Sequence, residues 1–275
     1  MNRIEPLLVT SLVRIERFDH PAGMTHQDPR EEEFSAYSVN FVESGEFEIE
    51  RGRRRWQLDP GTVFLSYPGL SYRCRHRDPF PRDVCLSVHY PSGLPEGIAR
   101  RDVTVPVTHR LGYIHFRLQR WAAGSRQPLS GEALAAELWQ ALHEGGTTDR
   151  LYSARCLAWY CERVEAVREI LETRYAEAHC LAPLGREVGM SPFHLARVFR
   201  ELTGAPPHRY LLRVRLERAT EFLREGLSVT ETSSRSGFEN LSHFIRSFRR
   251  AYGVTPSRLA PRKARKCKPP ACPPA

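Results

Sequence analysis

The chain repeats one pattern of 17 residues in its last third. Ser191–Pro207 and Asn240–Pro256 align at an offset of 49 residues, and six positions are identical. These positions are His194/His243, Arg197/Arg246, Phe199/Phe248, Arg200/Arg249, Gly204/Gly253 and Pro207/Pro256. Packing alone does not require the arginines to recur. The repeat therefore predicts two copies of one element that present the same cationic face a fixed distance apart, which suits a polymer with a repeating groove.

The positive charge of the chain is concentrated in the same region. Residues 161–275 hold 21 Lys and Arg against 12 Asp and Glu, whereas residues 1–160 hold 20 of each, so the net charge of +9 lies in the region of the repeat. A concentrated excess indicates a polyanionic partner, either nucleic acid or an anionic membrane surface. A solvated basic tail explains Arg262–Lys268, but it does not explain the arginines inside the repeat.

Composition excludes several classes of protein. No apolar run approaches the ~20 residues of a membrane-spanning helix, and the first residues lack the apolar segment of a signal peptide. An odd number of cysteines without an export signal favours free thiols in the reducing cytoplasm; they are Cys74, Cys85, Cys156, Cys161, Cys180, Cys267 and Cys272. Their spacing lacks the paired ligands of a zinc site. We therefore expect a cytoplasmic protein with no membrane partner, no metal and no cofactor.

Residues 5–105 read mainly as β-structure. Short β-rich runs alternate with Gly and Pro turns such as Asp59-Pro60-Gly61 and Tyr67-Pro68-Gly69. The runs cover residues 35–42, 46–50, 62–67, 72–75 and 84–90. Strands of this length with turns every ~8–12 residues predict a sandwich or barrel.

The pattern becomes helical near residue 106. Leu111, Ile114, His115 and Leu118 fall at helical spacing. Leu134, Leu138 and Leu142 do the same, and they suit either a self-complementary dimer face or packing against the β domain. Residues 144–149 (Glu-Gly-Gly-Thr-Thr-Asp) are the best candidate for a linker, and everything after them reads as helix.

Each copy of the repeat follows a short helix that ends at or near a glycine, Gly189 or Gly237. Ser191 is a suitable N-cap with Pro192 at the first helical position. A long helix over about 208–225 follows the first copy and stops at Gly226. Ser228 and Glu231 fit a capping box, and Asn240 or Glu239 caps the second copy.

Both copies are amphipathic. In the first, the predicted core face holds Leu195, Val198, Phe199 and Leu202, and the outer face holds Phe193, Ala196, Arg197 and Arg200. In the second, the core face holds Phe244, Phe248 and Ala251 or Tyr252, and the outer face holds Ser242, His243, Arg246 and Arg249. A short helix, a tight turn and a second helix with a cationic face predict a helix-turn-helix that enters a major groove. Arginine there can bind guanine O6 and N7 together, and the helix N-termini at Ser191 and Asn240 can dock phosphates.

Residues 164–260 resemble the DNA-binding domain of the AraC/XylS family of bacterial transcriptional regulators. The similarity rests on the segments Gly189–Gly204, Arg209–Leu223 and Gly237–Ser257. It implies two helix-turn-helix units joined by the long helix. By position it implies base-reading roles for Phe193, Ala196 and Arg197 in the first unit, and for Leu241, Ser242, His243 and Arg246 in the second. With the phosphate-facing positions, the predicted DNA-binding set is Ser191, Phe193, His194, Ala196, Arg197, Arg200, Asn240, Leu241, Ser242, His243, Arg246 and Arg249.

The chain departs from the family pattern in both short helices. Leu184-Gly185, after Pro183, stands where the family has Leu-Ala, and Thr232-Ser233 stands where it has Ile-Ala. Glycine inside a helix costs ~1 kcal/mol relative to alanine. We expect the fold to survive, with a less rigid second unit.

The resemblance implies a cupin-like N-terminal barrel that binds a small effector or mediates dimerisation. Tyr37, Asn40 and His89 are the candidate effector-binding residues. A metal-dependent cupin enzyme needs a His-x-His…Glu cluster, which the scattered His26 and His76 do not provide, so no catalytic residue is predicted. A redox-sensing role for Cys74 and Cys85 is left open.

The expected architecture is α+β with two domains: a cupin-like β-barrel with flanking helices, and an all-α domain with two helix-turn-helix units joined by a long helix. The β domain spans 1–145, a linker and helix start span 146–163, and a basic Pro-rich tail spans 263–275. The DNA-binding domain spans 164–262, with helix-turn-helix units at about 181–202 and 229–251.

The expected function is that of a non-enzymatic, sequence-specific transcription factor that responds to a small effector. The expected partners are double-stranded promoter DNA, the effector, a second copy of the chain, and RNA polymerase if the protein is an activator. The alternative is a cupin-type effector-binding protein or enzyme whose C-terminal domain binds DNA only non-specifically.

Overall fold

The computed structural model describes residues 3–19, 31–76, 82–93, 103–105, 107–124, 128–144 and 152–259. The predicted Gly-Gly linker and the basic tail lie almost wholly outside these ranges. The strands are β1 (Arg3–Val9), β2 (Arg14–Asp19), β3 (Glu32–Glu33), β4 (Tyr37–Ser44), β5 (Phe47–Arg51), β6 (Arg54–Leu58), β7 (Val63–Ser66), β8 (Ser71–His76), β9 (Val84–Tyr90) and β10 (Thr104–Val105). The helices are α1 (His109–Ala123), α2 (Pro128–Glu144), α3 (Ala154–Thr173), α4 (Leu181–Glu187), α5 (Pro192–Thr203), α6 (Pro207–Arg224), α7 (Val229–Arg235), α8 (Leu241–Tyr252) and α9 (Pro256–Leu259).

The chain divides into two compact units. The first comprises residues 1–162 together with 201–204, and the second comprises residues 163–200 together with 205–275. All the described strands lie in the first unit, and the described elements of the second are helical. The prediction of a β-rich N-terminal part and a helical C-terminal part is therefore confirmed. Among the described residues, no helix is both long and apolar enough to cross a membrane.

The strands form two sheets. One has six strands in the order β1-β2-β9-β4-β7-β10, and the other has four in the order β3-β8-β5-β6. Every pairing among the described strands is antiparallel. The hydrogen bonds within these ranges do not close the strands into one continuous barrel.

The six-stranded sheet buries both of its faces, because successive side chains of a strand point to opposite sides. Val39 and Val88 pack in one cluster with α1 and α2. Val42 and Cys85 pack in a second cluster with Phe47 and other residues of the four-stranded sheet. The first unit is therefore built in three layers: four strands, six strands and two helices.

The predicted leucine face of α2 is part of this core. Leu134, Leu138 and Leu142 are all buried in the cluster that covers the six-stranded sheet. Of the two alternatives for these leucines, packing against the β domain is confirmed, and they are not exposed for a dimer contact.

The second unit is centred on α6. This helix starts at Pro207 at its first turn, which fits proline because the first helical amide has no partner there. Gly226 follows its end with φ of +91°, as the sequence predicts. Leu216, Ala219 and Leu223 on α6 form one buried cluster with residues of α8.

Two hydroxyl groups are buried without described partners, one in α7 and one at its C-cap. Thr232 and Ser236 are both 0% exposed. Within the described residues, neither Oγ1 of Thr232 nor Oγ of Ser236 has a hydrogen-bond partner. A buried hydroxyl that loses its bonds to water without a replacement destabilises the fold.

Thr232→Val is therefore expected to stabilise α7, because valine keeps the shape of threonine and removes the unpaired hydroxyl. The free energy of local opening, measured by hydrogen exchange of the α7 amides, should rise by about 1 kcal/mol. Ser234→Ala, at an exposed position of the same helix, is the control and should change it by less than ~0.5 kcal/mol. A loss of stability in Thr232→Val would show that the hydroxyl is solvated in the native protein.

Candidate nucleic-acid interface

The turn between α4 and α5 is closed by a glycine in the left-handed conformation. Gly189 has φ of +66°, and the Met190 amide donates to the Gly185 carbonyl oxygen at 2.8 Å. This is a Schellman turn, in which the buried Met190 makes the accompanying apolar contact. Ser191 then caps α5, since its Oγ accepts from the His194 amide at 3.3 Å.

The turn between α7 and α8 has the same construction. Gly237 has φ of +78°, and the amide of the buried Phe238 donates to the Ser233 carbonyl oxygen at 3.0 Å. Glu239 is an additional residue with no counterpart in the first turn. Asn240 is the N-cap, and its Oδ1 accepts from the amide three residues further on at 3.1 Å. The offset between the copies is thus 48 residues before the turn and 49 after it.

The departure from the family pattern at Gly185 has a local explanation. Gly185 is buried, and a Cβ at this position would lie 2.5 Å from the Met190 carbonyl oxygen. The α4–α5 turn approaches α4 so closely that it leaves no space for a side chain. In α7, Thr232 and Ser233 occupy buried positions, as expected for residues that replace an apolar pair.

Helix α5 has one buried and one exposed side, as predicted. The buried side chains are all 0% exposed and are Leu195, Val198, Phe199 and Leu202. The other side forms the first reading stripe, which consists of Phe193, Ala196, Arg197 and Arg200. Phe193 is 90% exposed, and both arginines are exposed. These positions are spaced i, i+3, i+4 and i+7, so they lie along one line on the helix surface.

Helix α8 repeats this arrangement with a narrower core face. Phe244 and Phe248 are 0% exposed and pack on α6. The prediction that Ala251 or Tyr252 completes this face is wrong, because both are exposed. The Tyr252 ring packs on Phe248 with centroids 4.7 Å apart, while the buried cluster with α6 ends at Phe248.

The exposed side of α8 forms the second reading stripe, which consists of Ser242, Ile245, Arg246 and Arg249. Ile245, at the edge of this side, is half-buried and packs against the cluster formed with α6, and the other three are exposed. Leu241 and His243, also predicted to read bases, are exposed at the start of the helix. His194, the counterpart of His243, is half-buried.

The stripe arginines have no internal partners within the described ranges. No carboxylate or other acceptor there bonds the guanidinium groups of Arg197, Arg200, Arg246 and Arg249. Other arginines of the unit are paired; Arg218, for example, lies 3.0 Å from Glu221. Because the stripe cations are already exposed and unpaired, binding an external anion breaks no internal ion pair.

Sequence reasoning missed one cation of the same kind. Arg250 is exposed and unpaired among the described residues. Its counterpart in the first copy is Glu201. Arg250 is therefore not among the positions that are identical in the two copies. The signal that could have found it is the Arg249-Arg250 pair in the last turn of α8.

The structure separates the three candidate effector residues. Tyr37 packs against the cluster shared with the helices, whereas the parity of β4 and β9 places Asn40 and His89 on the opposite face, between the sheets. Asn40 is buried and its amide donates to the Phe64 carbonyl oxygen at 3.2 Å. His89 Nε2 lies 2.8 Å from Glu16.

Asn40 and His89 belong to two polar rows that cross the sheet. The registers align Glu16, Ser87 and Asn40 in one row, and His89, Ser38 and Ser66 in the next. The Ser38 hydroxyl contacts Ser66 and donates to Asn40 Oδ1 at 3.1 Å. The hydrogen bond from His89 lowers the pKa of Glu16 despite partial burial, so this carboxylate is ionised at neutral pH.

The cysteines with described surroundings are free thiols, including Cys74 and Cys85. Burial raises the pKa of Cys85, and the nearby carboxylates of Asp83 and Glu43 add to the effect. Cys85 is therefore an unreactive thiol at neutral pH.

Comparisons with known proteins agree with this geometry. Residues 184–262 match the family described as "Helix-turn-helix domain". An uncharacterized HTH-type transcriptional regulator, YbfI of Bacillus subtilis (strain 168), is 24% identical over 217 residues, covering 75% of this chain and 78% of YbfI. The HTH-type transcriptional activator RhaS of Salmonella paratyphi B is 32% identical over 136 residues, covering 49% of this chain and 45% of RhaS. The chain thus matches less than half the length of RhaS.

A solved structure of a probable AraC family transcriptional regulator from Rhodopseudomonas palustris is 29% identical, covering 36% of this chain and 99% of that one, with a TM-score of 0.34. Residues 184–262 therefore form a helix-turn-helix domain, and the chain is similar to transcriptional regulators of the helix-turn-helix type, in agreement with its resemblance to the AraC/XylS family.

Proposed function

We propose that the protein regulates promoters by reading DNA with α5 and α8, each through its reading stripe. The observation that carries this proposal is that two helices built on the same turn expose arginines at the same positions, and that no described residue pairs with these arginines. An arginine in the major groove can bind O6 and N7 of guanine together. We assign this role to Arg197 and Arg246, and we assign phosphate contacts to Arg200 and Arg249.

The remaining predicted residues fit the ends and flanks of the stripes. Ser191 and Asn240 hold the helix N-termini, where free amides and the helix dipole favour phosphate. Phe193 and Leu241 offer apolar surface to the methyl group of thymine. Ala196, Ser242 and His243 complete the base-facing set, and His194 lies beside it.

The two stripes differ, so the two helices are expected to read different bases. Phe193 and Ala196 in the first correspond to Ser242 and Ile245 in the second. We infer that one chain reads an asymmetric site in two parts, about one helical turn apart, because both helices belong to a single compact unit.

Arg197→Ala tests the proposal at its centre. Selection from random duplexes with the unaltered protein should yield a bipartite motif. The variant should lose about 1–3 kcal/mol of discrimination at one base pair, because one bidentate contact is removed. Quantitative binding to the selected duplex and its single-base variants measures this loss.

Arg224→Ala is the control, since Arg224 is exposed near the end of α6 and lies outside both stripes. Equal weakening on every duplex would assign Arg197 to phosphate instead. A selection that enriches no motif, with binding that falls steeply with salt, would favour the alternative of non-specific DNA binding.

Phe193 provides a second test because its ring is 90% exposed. Replacing thymine by deoxyuracil removes one methyl group, and at one position of the first half-site this should cost the unaltered protein ~0.8 kcal/mol. Phe193→Ala should be insensitive to the same replacement and should keep its thermal stability. Sensitivity of both proteins at every thymine would show that Phe193 does not contact a methyl group.

We also propose that the first unit is a cupin-like domain that binds a small polar effector between its sheets. The two polar rows support this, since hydroxyls, an amide, an imidazole and an ionised carboxylate share one buried face.

We also propose that a second copy of the chain and RNA polymerase are partners of the regulator. We propose that it activates promoters in the cytoplasm.

The effector is expected to raise the thermal stability of the first unit, because a ligand that binds only the native state stabilises it by mass action. Screening polar metabolites by thermal shift should find a compound whose effect is lost in Asn40→Ala. Tyr37→Phe, on the opposite face of the sheet, should retain the full shift. A shift that survives in Asn40→Ala would place the effector elsewhere.

A further inference from the structure

The connection between α3 and α4, residues 174–180, is ordered by its own hydrogen bonds. The Glu177 amide donates to the Arg174 carbonyl oxygen at 3.0 Å, and the side chains of these residues pair at 2.6 Å. His179 Nε2 lies 2.8 Å from the same carbonyl oxygen. The connection therefore presents a defined backbone surface to the rest of the helical unit.

Arg215, in the middle of α6, binds this backbone from one side. Its Nε donates to the Tyr175 carbonyl oxygen at 2.8 Å, and its Nη2 donates to the Glu177 carbonyl oxygen at 2.8 Å. Burial lowers the pKa of Arg215, and the charge of Glu239 opposes this effect. The guanidinium thus bonds two carbonyls just beyond the C-terminus of α3, where the helix dipole favours a cation.

The turn of the second reading unit lies against the residue between those two carbonyls. A Cβ on Gly237 would be 2.7 Å from Ala176 Cα and 2.8 Å from its carbonyl oxygen. Gly237 is the left-handed residue of the α7–α8 turn, and Glu239, which acts on Arg215, immediately precedes the cap of α8. The placement of α8 therefore depends on the stretch of backbone that Arg215 holds.

Arg215 also lies between the points where the two reading helices contact α6. Tyr210 meets the Phe199 ring of α5 edge-on, with centroids 5.5 Å apart. Ala219 packs in one cluster with Phe244 of α8. From Tyr210 to Ala219 the helix rises by ~14 Å, and Arg215 is near the middle of that interval.

We propose that Arg215 is a positioning residue that fixes α8 relative to α5 and so sets the spacing between the two parts of the DNA site. This inference rests on the proposed function. A residue that only stabilised the fold would change the affinity for all DNA equally. A positioning residue changes how strongly the protein distinguishes one spacing from another.

The test uses Arg215→Met and Arg215→Lys in the full chain, with duplexes that carry the two selected half-sites at their natural separation or with one or two base pairs added or removed. The unaltered protein should prefer the natural spacing over a one-base-pair change by about tenfold, or ~1.4 kcal/mol. Arg215→Met should reduce this preference to about twofold, or ~0.4 kcal/mol. Arg215→Lys should be intermediate, because lysine keeps the charge but lacks the planar fork that bonds two acceptors together.

Arg224→Met is the control for loss of an arginine from α6 and should keep the full preference. Gly237→Ala tests the same contact from the other side, and it should loosen the spacing with Arg215 intact. If Arg215→Met does not fold by circular dichroism, the lysine and Gly237 variants decide the question.

Two results would overturn the inference: a full spacing preference in the Arg215 and Gly237 variants, or equal weakening at every spacing. Absence of any bipartite motif for the unaltered protein would overturn the proposed function itself, which is a separate outcome.

Discussion

Both reading helices depend on one backbone constraint, the left-handed glycine that ends the short helix before each of them. With φ of +66° at Gly189 and +78° at Gly237, the next residue folds back and buries its side chain. Met190 and Phe238 are those residues, 8% and 7% exposed. Once they are buried, the direction of the following helix is set. Its apolar side faces the core and its arginines face outward.

The helices that support this arrangement are joined by a partly buried ionic cluster. Arg168 on α3 bonds Glu165 through two nitrogens at 2.9 and 2.5 Å, and it also bonds Glu172 at 2.6 Å. Tyr210 on α6 donates its hydroxyl hydrogen to Glu172. Burial alone would lower the pKa of Arg168, but the hydrogen bonds and charge of Glu165, with Glu172, raise it. A partly buried cation that is bonded through all three of its nitrogens helps to hold α3 to α6 in one geometry, because a satisfied polar network is rigid.

Sequence periodicity predicted the elements whose signals are local. The helices of the repeat, their caps at Ser191 and Asn240 and their buried faces follow from spacing within 12 residues. Strands β1 and β2 are not among the β-runs that the sequence predicts, because Pro6 interrupts the first and charged side chains occupy three of the four positions Arg14–Arg17. Whether they pair depends on distant partners, since β2 lies between β1 and β9.

Tyr37 shows that residue type alone does not predict which residues share a site. Residue type suggested grouping it with Asn40, but the two are three positions apart on one strand and therefore face opposite sides. Gly185 shows it again, because only the folded turn reveals how close the Met190 carbonyl oxygen lies.

The two copies of the repeat differ in a consistent way: the first is more closely packed, and the second carries more positive charge. The first helix-turn-helix has the shorter turn, a glycine in direct backbone contact, four fully buried apolar side chains on its second helix and the exposed ring of Phe193. The second has a turn longer by Glu239, two unpaired buried hydroxyls, two fully buried phenylalanines and one additional exposed arginine, Arg250. Close packing fixes the geometry of base contacts, which act over hydrogen-bond distance, whereas attraction of arginine to phosphate tolerates small displacements. Under the proposed function, the first helix-turn-helix is thus suited to selecting bases. The second would rely more on charge, and on how firmly α6 and the α3–α4 connection hold it.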